Sequence, residues 1–155
     1  MVSVRRRILA LVASDLVFEV DGFPPSKNEA VSLLGERHPH RERVISLLEA
    51  ARQAMAAARF EPFAPEDAIG FEVIVRAATG SVPWDATNYL GGIADVLEEK
   101  SRRGPGITHL GPLREVHVYA NDRQIREITY RQEKALMTSY AVRLWRLDEG
   151  EDVFA

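Results

Sequence analysis

From Arg41 to Arg59 the apolar residues Val44, Leu48, Ala51, Met55 and Ala58 return every three or four positions, with Arg, Glu and Gln between them. That period places them on one stripe of an α-helix. A helix with a single apolar stripe has to bury it, so the rest of the chain must supply a surface for it to cover. The remaining sequence offers strands. Leu16, Phe18 and Val20 alternate with Val17, Glu19 and Asp21, and Phe71, Val73, Val75 and Ala77 alternate with Glu72, Ile74 and Arg76. Both runs have the period of a β-strand. Gly22, Pro24 and Pro25 stop the first.

Further along, Asp85 is a good N-cap for a second helix running to about Lys100. Gly91 and Gly92 each weaken that helix by about 1 kcal/mol relative to Ala. Residues 24–40 and 101–112 read as loops, and residues 61–67 as a linker turn. Val116, Val118 and Ala120 suggest a short strand, Ile125 to Arg131 another, and Ser139 to Leu147 a last one, with Asn121-Asp122 as a turn. The expected fold is α+β (mixed α/β), a small single domain in the order β-α-β-α-β-β-β. Residues 1–14 read as an N-terminal extension, 15–147 as the domain and 148–155 as an acidic tail. The helix stripe Val44, Leu48, Ala51 and Met55 is expected to pack on a sheet containing residues 71–77 and 125–131.

A chain of 155 residues fits one domain. The absence of cysteine excludes a disulfide framework, a thiolate metal site and a cysteine nucleophile. The net charge of −3 excludes a uniformly basic nucleic-acid binder. Charge is nevertheless uneven. Residues 61–100 carry 2 basic and 8 acidic side chains, whereas residues 101–143 carry 8 basic and 4 acidic. A carboxylate cluster flanked by basic loops suits a metal-dependent enzyme acting on phosphate, and is also what an ordinary solvated surface looks like. Arg5, Arg6 and Arg7 before Ile8 to Ala13 imitate a secretory signal, but the apolar run is too short for one, and cytoplasm is the expected location. No stretch approaches the ~20 apolar residues of a membrane span.

Asp85, Asn88, Gly92 and Asp95 follow helical spacing along one face, and Asp122 follows a predicted strand at a turn. Together they offer hard oxygen ligands for Mg²⁺. A purely structural account competes: Asp85 as cap, Asp122 as turn residue, Asp95 paired with a neighbouring Arg. His38, His40, His109 and His117 lack metal-ligand spacing, and no phosphate loop or G-x-S-x-G signature is present. Trp84 beside Asp85 is a core residue or a base-stacking platform.

Four dispersed pieces, in order, resemble the RusA-like endodeoxyribonucleases, which resolve Holliday junctions. They are PPSKN (24–28) after a strand, the Arg41–Arg59 helix, DATN (85–88) leading to IADVLEE (93–99), and NDRQI (121–125) leading into a strand. The resemblance covers about Leu16 to Leu147. It implies a small mixed α/β fold, a homodimer, Mg²⁺ dependence and a branched-DNA substrate. It places Asp85 and Asp122 as catalytic metal-binding acids, Asp95 as the helix acid, and Asn88 at the family's asparagine. Lys27, Asn28, Asn88, Arg102, Arg103 and Arg123 are then the expected nucleic-acid contacts. Thr87 stands where the family has its second metal-binding aspartate, Gly91 where it has a catalytic lysine, and Asn121 in place of the first acid of a D-D pair. Three readings follow: an active Mg²⁺-dependent nuclease, a catalytically degenerate member that binds nucleic acid or a protein, and a structural or regulatory domain with no nucleic-acid role.

Overall fold

The computed structural model of the protein describes residues 15–27, 32–78 and 85–148. The expectations for residues 1–14, Asn28, Trp84 and the end of the acidic tail lie outside these. Strand β1 (Asp15–Asp21) is followed by helix α1 (Arg41–Ala58), strand β2 (Ile69–Ala77), helix α2 (Ala86–Leu97), and strands β3 (Ile125–Lys134) and β4 (Ser139–Arg146). The four strands make one sheet in the order β1-β4-β2-β3. The β1/β4 and β4/β2 pairs are antiparallel, and β2/β3 is parallel. The architecture is a small α+β domain with a mixed four-stranded sheet.

Strand alternation sends every second side chain to one face. The pairing aligns Leu16 with Leu144 and Phe71, Phe18 with Val142 and Val73, and Val20 with Tyr140 and Val75. All nine are buried on the helix side of the sheet. The stripe of α1 enters the same core through Val44, Leu47, Leu48 and Ala51, and Met55 packs partly buried against it. Leu47 thus joins the expected set, and Met55 sits at its margin. The helix lies chiefly over β1 and beside α2. The sheet contains residues 71–77 and 125–131, as expected, and β3 runs along its edge, where most of its side chains are exposed. The opposite face of the sheet is laced with ion pairs, Glu19–Arg76 and Arg76–Glu133 at 3.2 Å each and Asp15–Arg143 at 2.8 Å.

Three local expectations are corrected. Helix α2 ends at Leu97, not near Lys100. Residues 101–112 are not open loop: Ser101–Glu115 winds in 3₁₀ turns, broken where Gly104 (φ 67°) and Gly111 (φ 56°) adopt positive φ. Each break precedes a proline, which cannot continue a helix from the preceding residue. Finally, Val116, Val118 and Ala120 form no strand, so the order is β-α-β-α-β-β. Their backbone bonds go to different segments. Val118 N–H donates to Leu97 O, Glu99 N–H to Tyr119 O, and Phe63 N–H to Val118 O. The apolar alternation there comes from burial between α2 and the 60–63 segment, not from a ladder. Among the described residues no helix is long and apolar enough to cross a membrane.

Candidate functional site

Helix α2 begins as the sequence expects. Asp85, in extended conformation, caps it with Oδ1, which accepts from Asn88 N–H (2.9 Å) and from the Thr87 hydroxyl (2.8 Å). The Asn88 bond first and the Thr87 hydroxyl second hold the Asp85 carboxyl below the ordinary carboxylate range. They do so because they stabilise its charged form.

The segment after β1 is laid on this helix. Pro24, Pro25 and Ser26 are buried, and Lys27 N–H donates to Asn88 O at 3.0 Å. Gly92 makes the approach possible, since a Cβ there would overlap the Pro25 carbonyl. The Lys27 stem passes over Gly91, whose added Cβ would stand 3.4 Å from Lys27 Cδ. The ammonium ends 3.2 Å from Asp95 Oδ2. Lys27 therefore spans α2 from Asn88 to Asp95 with its amine half-exposed.

The segment's other flank is tied to α1 by histidines. Ser26 N–H donates to His40 Nδ1 (3.3 Å), with Ser26 Oγ 3.2 Å from the same atom. His38 Nδ1 accepts from His40 N–H (2.9 Å). His109 accepts from Arg41 Nε and reaches Leu34 O at 2.8 Å, joining the 3₁₀ segment to the start of α1. These contacts are structural. Burial lowers the pKa of His38 and of His40, and Arg43 and then His38 lower that of His40 further. A depressed histidine pKa gives stability that is full above the unfolded value of about 6.5 and lost as pH falls below it. The melting temperature is therefore expected to drop between pH 7 and 5.5. A His38→Asn/His40→Asn variant, whose amide oxygens can accept in place of Nδ1, should show a flatter profile over that range. An unchanged slope in the variant would remove the histidines as its cause.

At the other end of α2 the acids gather. Asp122 N–H donates to the Glu98 carboxylate at 3.0 Å. The buried Tyr119 hydroxyl donates to Ala94 O. Its pKa lies well above the usual tyrosine value, through burial first and then the charges of Glu98, Asp122 and Asp95. Asp122 opens a 3₁₀ turn capped by Asn121, whose side chain accepts from Arg123 N–H at 2.9 Å. Arg123 is exposed beside it, and exposed Arg102 and Arg103 follow the end of α2.

The structure thus brings Asp95, Asp122, Lys27 and Arg123 to one end of α2. It leaves Asp85 and Asn88 toward the other. At 1.5 Å of rise per residue, Asp85 and Glu98 stand roughly 20 Å apart along the helix. Asp85 is thus held at the start of α2, whereas Asp122 meets the end of the helix through Glu98. Asp95 is engaged by Lys27, Glu98 by the Asp122 backbone, and Asp85 by its own cap. Among the described residues no group of three or more His, Asp or Glu side chains is arranged to hold a metal.

Three residues that matter here were not singled out in the sequence, although Glu98 and Gln124 lie within the motifs quoted above. Glu98 anchors the Asp122 backbone. Gln124, buried, accepts from Ala120 and Asn121 N–H and donates to Ala64 O and Asp67 O, so it positions the whole turn. Lys100, 2% exposed, donates to Glu98 O and Val116 O. Helical period cannot announce a buried lysine, because lysine is almost always exposed. No family model and no curated protein matches the chain.

Proposed function

We propose that the protein is a catalytically degenerate relative of the RusA-like nucleases that binds branched DNA. The observation that carries this reading is Lys27, pinned across Gly91 to Asp95 with its amine still open to solvent. Exposed Arg102 and Arg103 follow the end of α2, and exposed Arg123 lies beside the turn bonded to Glu98, so further cations are interspersed with the acids there. Exposed cations of this kind suit contacts to a phosphate backbone. Degeneracy is supported by the spread of the carboxylates along α2 and by their existing partners, together with threonine at position 87 and glycine at 91. Two copies, as the resemblance implies, would present two such sets of cations to a branched substrate.

A second reading, Mg²⁺-dependent cleavage, is favoured by one feature, the convergence of Asp95, Glu98 and Asp122 on Tyr119. In that case Asp95 and Asp122, the acids that the resemblance implies, would have to leave their present arrangement, which holds no group of three fit for an ion among the described residues. The ion would supply charge neutralisation at the phosphodiester and an activated water.

The test is four-way junction DNA titrated against the protein at several salt concentrations, with and without Mg²⁺ or Mn²⁺. Four phosphate-contacting cations predict a log–log salt slope of about −3 to −4. Lys27→Ala or Arg123→Ala should each reduce that slope by about one. Binding without strand scission is the expected result. Scission abolished by Asp122→Asn would establish the second reading instead. No salt-dependent binding at any concentration would leave a structural or regulatory domain.

A further inference from the structure

Strand β3 is an edge of the sheet, and its sequence complements itself. One side of β3 is paired to β2, and among the described residues no strand pairs with the other. Most of its side chains are exposed, including Ile128 at 57%. Leu136 and Met137, which follow it directly, are exposed at 97% and 79%. Large exposed apolar side chains among the described residues are therefore concentrated at this edge, with Val17 the exception. An edge strand of this length is a template for another strand.

The charges on β3 discriminate between occupants. In a two-fold antiparallel pairing, residues directly opposite share a face of the sheet. Centring the pair on Thr129 sets Glu127 against the partner's Arg131, and the symmetry makes that contact twice. It also sets Ile128 against the partner's Tyr130 on the helix side. Centring on Tyr130 opposes Glu127 to the partner's Glu133 and Arg126 to the partner's Lys134. Centring on Glu127 or Arg131 puts like charges on the axis, and centring on Ile128 gives neither favourable pair. The other edge, β1, fails the same test. It carries Asp15, Glu19 and Asp21, and pairing it with itself about Phe18 opposes Asp15 to the partner's Asp21.

We infer that a second copy of this chain docks on β3, antiparallel and centred on Thr129, joining two four-stranded sheets into one. This deepens the dimer in the proposed function by naming its surface, and it does not depend on DNA binding.

The chain has no cysteine, so a single introduced thiol reports the axis. Thr129→Cys is expected to give a covalent dimer with a short bis-maleimide. Lys134→Cys, far from the axis, should not. By light scattering at tens of micromolar the wild type should be a dimer. Glu127→Arg and Arg131→Glu should each weaken association at least tenfold, since each creates two like-charge contacts. The double variant E127R/R131E should recover it. A monomeric wild type at that concentration overturns both the inference and the dimer. A dimer indifferent to the single reversals, or one cross-linked equally through both cysteines, overturns the β3 assignment and leaves the dimer standing. Junction binding by the wild type, measured separately, judges the nucleic-acid reading.

Discussion

Gly92→Ala is expected to lower the melting temperature and to free the Lys27 amide, while Gly91→Ala, one residue away, should do neither. Alanine at either position gains about 1 kcal/mol of helix propensity over glycine. At position 91 the new methyl meets only the Lys27 side chain, Cδ at 3.4 Å and Cβ at 3.7 Å, both ordinary contacts. That variant should be unchanged or slightly more stable. At position 92 the methyl would overlap the Pro25 carbonyl, which belongs to the backbone of a buried segment. Overpacking of this kind costs about 1–3 kcal/mol. Less the helix gain, the net loss reaches about 2 kcal/mol, a fall of as much as roughly 8 °C in a domain of this size. Relief requires the 24–27 segment to lift off α2, breaking the Lys27 N–H to Asn88 O bond and the Lys27–Asp95 pair. Hydrogen exchange at Lys27 should accelerate in Gly92→Ala alone. Equal behaviour of the two variants would show that Gly92 does not seat the segment.

The second large effect is in the alkaline range and belongs to Lys100. The side chain is buried, and burial first, then Arg103, push its pKa down to about 8. In the unfolded chain it titrates near 10.4. Below pH 8 both states carry the proton, and the native state bears the cost of a buried charge. As pH rises from 8 toward 10 the native amine is neutral while the unfolded one is still charged, so stability increases. The full gain is on the order of 3 kcal/mol. Deprotonation sacrifices neither hydrogen bond, because a neutral amine keeps two donors and only two acceptors, Glu98 O and Val116 O, are engaged.

Lys100→Met should abolish this rise. At pH 9–10 it should be less stable than the wild type, since each buried carbonyl left without a donor costs about 1–3 kcal/mol. Above pH 10 both proteins should weaken. The pKa values of buried Tyr119 and Tyr140 are raised, so the unfolded state loses those protons first. Denaturant melts of both proteins at half-unit intervals from pH 7 to 10.5 separate these contributions. A wild-type profile that is flat between pH 8 and 10 would refute the buried-amine account.

Lys100 also shows where sequence reading stops. A local cavity of about 200 Å³, lined by Glu99, Ser101, Arg114 and others, opens beside it, yet the sequence around it, LEEKSRR, reads as solvated helix end and loop. Its burial follows from α2 stopping at Leu97 and the 3₁₀ turns folding back over it. The strand expected at Val116–Ala120 failed for a related reason. Period two reports which side chains are buried, and here the backbone makes a single parallel bridge to Glu98 and one bond to Phe63, with no ladder. Gln124 is a third case, a polar residue whose four backbone contacts come from segments as far as 60 residues away.

By itself the sequence determined the elements whose period is local. Alternation placed β1 and β2, the runs Ile125–Arg131 and Ser139–Leu147 located β3 and β4, the three-to-four repeat placed α1, Asp85 marked the start of α2, and Asn121-Asp122 marked a turn. These depend on neighbours within one turn or one pleat, which the sequence order specifies. Tertiary structure alone decided that β3 lies at an edge while β4 inserts between β1 and β2. It also decided which charges meet. Asp85 and Asp95 share a helix and are separated by its rise, whereas Lys27 and Asp95, 68 positions apart, touch because Gly92 has no side chain to keep the Pro25 backbone away. Charge interactions act over a few ångströms of space, and only the packed chain sets those distances.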